Sequence, residues 1–279
     1  MWQVAEASEV PKNPSGPGED RLVIVDRGGA VALAAVVDGA TDKSGRDYGG
    51  TRGGALAADT VAGVLRTLTP DTTPSDAVAR IATALVALRR RHGVADDDPL
   101  GPSAVAAVFM ASRGEIWRVG DVHVALRSGE GWRTFPADKE IDRVVAHARA
   151  AYLRCLLADG IPASALAVTD PGRSMVLPVL QVQNRLANRA DRYGYGLLDG
   201  TGVPPEFLQV FPVDATVREI VLASDGYLSP VPSLSEAEDA LASSLAEDPL
   251  RVGDHPATKG VLPGEASFDD RTYLRLTRT

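Results

Sequence analysis

Three apolar runs in this sequence each stop on an aspartate. Ala30 to Val37 is wholly apolar, as a strand covered on both faces would be, and it ends in Asp38-Gly39. Ile116 to Gly120 leads into Asp121, and Ile220 to Ser224 leads into Asp225-Gly226. Two acidic pairs sit at strand starts: Glu19-Asp20 ahead of Arg21 to Asp26, and Asp269-Asp270 ahead of Arg271 to Leu276. A single Asp-Gly is most often a turn, the glycine permitting the bend and the aspartate capping it. Repetition at so many strand boundaries points instead to one shared acidic centre. Oxygen-only clusters suit hard divalent cations such as Mg²⁺ or Mn²⁺. Without cations the carboxylates repel and raise one another's pKa. Two such ions about 3.5–4 Å apart share a water, make it nucleophilic near neutral pH and brace a phosphoryl group for in-line attack.

The chain offers no competing chemistry. His92, His123, His147 and His255 are scattered without ligand spacing, and no Gly-x-Ser-x-Gly elbow is present. Gly49 to Gly54 has the glycine spacing of a phosphate-cradling loop, but Ala55 stands where a lysine is needed, so it reads as a closely packed helix N-terminus. Cys155 is the single cysteine, which excludes an internal disulfide and a cysteine zinc site.

The elements that must position the acids follow from periodicity and turn signals. Met1 to Gly18, with Pro11, Pro14, Gly16 and Pro17, reads as an irregular arm, and residues 19–279 as one domain. Arg27-Gly28-Gly29 turns the Arg21–Asp26 strand into the Ala30–Val37 strand. Helices are expected over about Tyr48–Leu68 and Ser75–Arg91, the second capped by Thr73 or Ser75 and closed by Arg89-Arg90-Arg91. After an Asp96–Pro102 loop, Ser103–Ser112, Glu115–Gly120 and Val122–Ser128 read as a three-stranded meander. Ala137–Leu157 and Ser174–Arg189 are helical in pattern, which makes residues 137–191 a helical insert or flap. Tyr193–Asp199 suggests a short strand, Phe207–Val213 and Val217–Ala223 a hairpin, and Ser233–Ala246 a helix with Ser233 or Ser235 as cap. Strands at both ends with helices paired between them predict an α+β fold of two stacked, largely antiparallel sheets flanked by helix pairs.

The 279 residues carry a formal charge of −8, which argues against a nucleic-acid or anionic-membrane surface. No apolar run approaches the roughly 18 residues of a membrane span, and the polar N-terminus lacks a signal-peptide pattern. The expected location is cytoplasmic.

The order of these motifs resembles the metal-dependent protein phosphatase family, type 2C. Glu19-Asp20-Arg21 resembles its Glu-Asp opening, VVDGATD its Asp-Gly-His-Gly-Gly stretch, and Val119-Gly120-Asp121 its Val-Gly-Asp-Ser. LASDGYL resembles Ala-Ser-Asp-Gly-Leu, and FDDRTYLRL the closing Asp-Asn-x-Thr strand. The match runs from about Glu19 to Thr277. The resemblance implies two core Mg²⁺ or Mn²⁺ ions and hydrolysis of phosphoserine and phosphothreonine without a covalent intermediate. By position, Glu19, Asp38, Asp225 and Asp269 would hold the ion pair, with Asp38 bridging and the Gly39 carbonyl completing a shell. Asp121 would belong to a third, weaker site, and Asp20 and Asp270 would support from behind.

The departures from the pattern are specific. No arginine lies between Asn13 and Gly18 to grip phosphate, and Lys12 is the only nearby cation. Ala40 replaces the histidine after Asp-Gly, and Val122 the usual serine. Lys43, Arg46 and Lys259 are the candidate phosphate contacts instead. The expected activity is metal-dependent hydrolysis of a phosphate monoester, with a phosphorylated protein as default substrate. Two other readings are a phosphatase for a small phosphorylated metabolite and a silent type 2C domain that binds a partner. The complete acid set argues against the silent domain.

Overall fold

The computed structural model describes residues 1–96 and 98–279; Asp97, inside the expected Asp96–Pro102 loop, lies outside the described residues. In chain order the elements are β1 (Trp2–Val10), β2 (Arg21–Asp26), β3 (Val31–Gly39), α1 (Gly53–Leu65), α2 (Pro74–Arg91), β4 (Ala104–Met110), β5 (Glu115–Val119), β6 (His123–Ser128), β7 (Gly131–Phe135), α3 (Glu140–Ala158), α4 (Ala163–Thr169), α5 (Pro171–Val182), β8 (Gln209–Pro212), β9 (Glu219–Ala223), α6 (Leu234–Glu247) and β10 (Arg271–Arg278). The strands form two antiparallel five-stranded sheets, ordered β1-β10-β9-β6-β7 and β2-β3-β4-β5-β8.

The sheets stack through their inner faces. Ala34 and Val36 of β3, Ala107 and Phe109 of β4, Leu222 of β9 and Leu274 of β10 share one buried cluster. The opposite face of β3 (Leu33, Ala35, Val37) packs on Ala57, Val61 and Leu65 of α1 and Ile81 and Leu85 of α2. This is why β3 is a continuous apolar run, without the alternation of a half-exposed strand. Thr73 caps α2 by accepting from the Asp76 N–H at 3.1 Å, and Ser233 caps α6 in the same way from Glu236 at 3.2 Å. The outer face of the β9–β10 sheet is covered by Ala237 and Leu241 of α6 together with Phe268. The second helix pair, α3 and α5, instead inserts Ile141, Val145, Val176 and Leu180 at the end of the inter-sheet core. No helix among the described residues is long and apolar enough to cross a membrane.

The expected α+β sandwich is the observed architecture, and the local differences have physical causes. The N-terminal arm is irregular only after Val10: Trp2 to Val10 is an edge strand paired with β10. A register shift between Val4 and Glu6 breaks its period of two, and its exposed positions mix Gln3 and Glu9 with Val4, Ala5 and Ala7, so no polar–apolar alternation marks it as a strand. The meander is broken at Gly120, where the chain leaves β5 in one sheet for β6 in the other. Gly120 has φ +84°, and a Cβ there would lie 2.2 Å from Val105. β8 and β9 are likewise no hairpin, since β8 pairs with β5 and β9 with β10 and β6. Tyr193–Asp199 makes only isolated bridges, Tyr195 to Ala187 and Leu198 to Ala104. Gly194 and Gly196 weaken it as a strand and favour a looped path over a ladder. The first helix starts at Gly53, five residues later than expected, because Gly49 and Gly50 adopt positive φ.

Candidate active site

The two sheet crossings bring the acids to one seam. Asp38 ends β3 in one sheet, Asp225 follows β9 in the other, Asp121 lies on the β5–β6 crossing, and Asp269 precedes β10. All four line an inner cleft of about 120 Å³, with Gly39, Ala40, Thr41, Lys43 and Lys259. An outer cavity of about 440 Å³ shares Asp121, Asp225 and Asp269 with it and adds His147 and His255.

The electrostatics match a crowd of unneutralised carboxylates. Burial, then the charges of Asp20, Asp225, Asp269 and Asp121, push Asp38 well above the usual carboxylate range. Burial, then Asp121, Asp269 and Asp20, do the same to Asp225, whose side chain still opens into the cleft. Burial also raises Asp121, and it lifts Asp20 to about 7. Asp269 moves the other way. Despite burial, the ammonium groups of Lys259 and Lys12 hold it far below the usual range.

The behaviour of Asp269 follows from its neighbours. Lys259 Nζ lies 2.8 Å from Asp269 Oδ2, and Lys12 Nζ lies 3.2 Å from Asp269 Oδ1. Asp270 is buried and accepts from the backbone N–H groups of Lys12 and Glu19, both at 2.7 Å, tying the loop before β2 to the start of β10. Glu19 is 1% exposed; its Oε2 accepts from the Thr41 hydroxyl at 2.8 Å, and its Oε1 has no partner. Asp20 Oδ2 is likewise buried without a partner. Gly39 and Gly54 let β3 and α1 approach: a Cβ on Gly39 would lie 2.4 Å from the Gly54 carbonyl, and one on Gly54 2.6 Å from Glu19 Oε1. Of the Gly49–Gly54 stretch, Gly53 and Gly54 show the expected close packing at the helix N-terminus, whereas Gly49 and Gly50 have open space around them.

The candidate cations divide. Lys43 lines the inner cleft, and burial followed by the charge of Lys139 lowers it to about 8. Lys259 lines it too, paired to Asp269. Arg46 does not: it pairs with Asp98 and donates to the Leu100 carbonyl. Sequence reasoning missed Arg173 and Lys139, which also line the cleft, Arg173 from α5 and Lys139 from just ahead of α3. Lys139 is held by Asp142 at 2.8 Å, whereas Arg173 Nη1 donates to the Thr258 carbonyl at 2.9 Å. Nothing in their spacing from the acid motifs could have signalled them, because only the tertiary docking of α5 brings Arg173 over the seam.

The oxygen-only donors, with buried unpartnered oxygens on Glu19 and Asp20, suit a hard cation. They are not drawn into a cage, however: among the described residues no three His, Cys, Asp or Glu side chains are grouped as a ready-made metal site.

Comparison with known structures decides the fold. The serine/threonine phosphatase PstP/Ppp of Mycobacterium tuberculosis matches with a TM-score of 0.50 over 99% of this chain and 98% of that one, at 18% identity. The PstP catalytic domain, solved with two manganese ions, gives 0.52 over 99% and 97% at 16% identity. This is the type 2C phosphatase fold. A mutant of a bacterial serine phosphatase matches the same fold at 0.51 over 100% and 98%, at 11% identity. No protein-family model and no curated protein matches the sequence. Within the type 2C fold, the strand ends that carry Asp38 and Asp225 form the mouth of the inter-sheet cleft.

Proposed function

We propose that the chain is a phosphatase, dependent on Mg²⁺ or Mn²⁺, that hydrolyses phosphate monoesters, with phosphoserine and phosphothreonine in proteins as the default substrate. The observation that carries this reading is the convergence of Asp38, Asp121, Asp225 and Asp269, from both sheets, on one cleft that also holds cationic side chains. Asp38, Asp225, Glu19 and Asp269 would provide the metal ligands, with Gly39 contributing its carbonyl, Asp121 an additional carboxylate, and Asp20 and Asp270 support from behind. The cation supplies a water acidic enough to attack near neutral pH. Two manganese ions in the PstP catalytic domain support that ion class.

The residues of this chain divide the remaining work. Lys43 and Arg173 face the cleft without an ion-pair partner among the described residues and would hold the phosphoryl oxygens. Arginine suits a planar two-point grip on phosphate, and lysine a point charge. Ala40 replaces the histidine that could protonate a leaving group beside Asp38, and His255, one of three histidines lining the outer cavity, is the candidate to do so instead. Arg173, Leu180 and Gln183 place the 137–191 segment along the inner cleft, where it would act as a flap over bound substrate.

That roof favours one further reading. An inner chamber of about 120 Å³ accepts a phosphoryl group with a small organic portion more readily than a folded phosphoprotein segment. The test is hydrolysis of p-nitrophenyl phosphate by the chelated, metal-free protein with Mn²⁺ or Mg²⁺ restored, followed by a panel of phosphopeptides and phosphorylated metabolites. Absence of metal-dependent turnover on every substrate removes the phosphatase reading.

A further inference from the structure

Lys12 sits among acids that the fold would otherwise leave to a metal. It is 6% exposed, and its Nζ lies 3.2 Å from Asp269 Oδ1, 3.7 Å from Glu19 Oε2 and 3.7 Å from Asp270 Oδ2. The backbone fixes this placement. The Lys12 N–H donates to Asp270 Oδ1 at 2.7 Å, and the Lys12 carbonyl accepts from the Ala266 N–H at 2.7 Å. The same Asp270 carboxylate accepts from the Glu19 N–H at 2.7 Å. The loop that carries Lys12 is therefore fastened to both segments that carry proposed ligands. Lys259 approaches Asp269 from the other side at 2.8 Å, so each oxygen of Asp269 faces an ammonium group. Asp38, Asp121 and Asp225 have no such partner: among the described residues the ion pairs at this seam fall on Glu19, Asp269 and Asp270, and on Asp142 through Lys139.

We propose that Lys12, backed by Lys259, supplies the positive charge at the Glu19–Asp269 end of the acid centre, so that the folded chain takes one divalent ion tightly, at Asp38 and Asp225, instead of two. The inference rests on the metal-dependent reading above. Charge supports it. Lys12 and Lys259 offset charge on Glu19, Asp269 and Asp270, whereas Asp38 and Asp225 have no ammonium partner and keep their charge for a cation. A second divalent ion at this end would have to evict a buried ammonium from three carboxylates and stand close to Lys259. An opposite charge within about 4–6 Å commonly biases a carboxylate by a factor of about 10 to 10³, and that bias is what the second ion would have to overcome.

The experiment counts ions on the full chain after chelation, with Mn²⁺ as the probe, by calorimetric titration and electron paramagnetic resonance. Wild type is expected to take one Mn²⁺ tightly and to show the six-line spectrum of an isolated ion. Lys12→Met is expected to take two, with second-site affinity raised about 10–10³-fold and the six-line signal lost to spin coupling. Lys12→Arg keeps the charge and should still take one. If Lys12→Met folds only in the presence of Mn²⁺, elemental analysis of the gel-filtered protein gives the count, two supporting the inference and one overturning it. Two tight, coupled ions in wild type overturn it while leaving the metal-dependent reading intact. No Mn²⁺ binding in wild type removes both.

Discussion

Arg149 and Asp170 form a buried ion pair, with Nη2 2.9 Å from Oδ2 and Nε 3.1 Å from Oδ1, at 0% and 6% exposure. The same guanidinium donates to the carbonyls of Leu250 at 2.9 Å and Ala257 at 3.1 Å. Asp170 in turn caps α5 by accepting from the Arg173 N–H at 2.8 Å. One pair thus fastens the insert to the loop that carries Lys259 and sets the start of the helix that carries Arg173. Removing one partner of a buried pair strands the other charge, at a cost of about 3–5 kcal/mol. Arg149→Met should lower unfolding stability by that order in urea titration, and KM for an aryl phosphate should rise more than kcat falls. A variant as stable as wild type would show that the insert is not held by this pair.

Asp38→Asn and Asp225→Asn should each abolish turnover and weaken Mn²⁺ binding. Outer-sphere changes at metal sites commonly cost about 10–100-fold in affinity, and loss of a direct ligand charge should cost more. Each change also removes a charge from a repelling group, so the metal-free variants should melt at higher temperature than metal-free wild type. Unchanged Mn²⁺ affinity in both variants would count against the shared acid centre.

Lys43 gives a pH signature. Its folded pKa is lowered to about 8, chiefly by burial. Below that pH it carries the charge that holds phosphate; above it the charge is lost. KM for a phosphate monoester should therefore rise with a midpoint near pH 8, and Lys43→Arg, whose guanidinium stays protonated, should flatten that limb. A wild-type KM that is flat from about pH 7 to 9 would assign the grip elsewhere.

The leaving group gives the fourth expectation. Ala40 cannot donate a proton, and general-acid help is typically worth about 10²–10⁴ in rate. An aryl phosphate departs without that help, while a serine alkoxide needs it. Phosphoserine peptides should be cleaved much more slowly than p-nitrophenyl phosphate, and Ala40→His should narrow the gap. Measuring kcat/KM for both substrates in wild type, Ala40→His and His255→Ala separates the sources of the proton. Equal wild-type rates that survive His255→Ala would refute the missing-acid argument.

Much of the fold was legible because β3 and the flanking helices obey simple periodicities, and because each acid stands where an apolar run ends. The convergence of Asp38, Asp121, Asp225 and Asp269 followed from that punctuation. The sheet assignment of β6, β8 and β9 was not legible, since neighbouring strands joined by short turns look the same whether they pair or cross between layers. β1 was hidden by its register shift and by the lack of any polar–apolar alternation along it. Arg46 was misplaced because the loop after β3 turns it toward Asp98, and Arg173 was missed because long-range docking alone makes it part of the cleft. Lys12 was noted only as a nearby cation, and its burial among three carboxylates depends on backbone ties from Asp270 and Ala266 that no local pattern encodes.

The crossing at Gly120 has a mechanical side. Because it hands the chain from one sheet to the other beside Asp121, the cleft is the joint between two stacked plates, with Asp38 on one and Asp225 on the other. Any sliding of the plates changes the spacing of those carboxylates directly. Methyl groups packed deep between the sheets, such as those of Ala34, Ala107 and Leu222, act as shims that set the gauge of the cleft from a distance. Conversely, whatever bridges Asp38 and Asp225 pins the plates together, and its grip should be felt as slower amide exchange along β3 and β9, well away from the mouth.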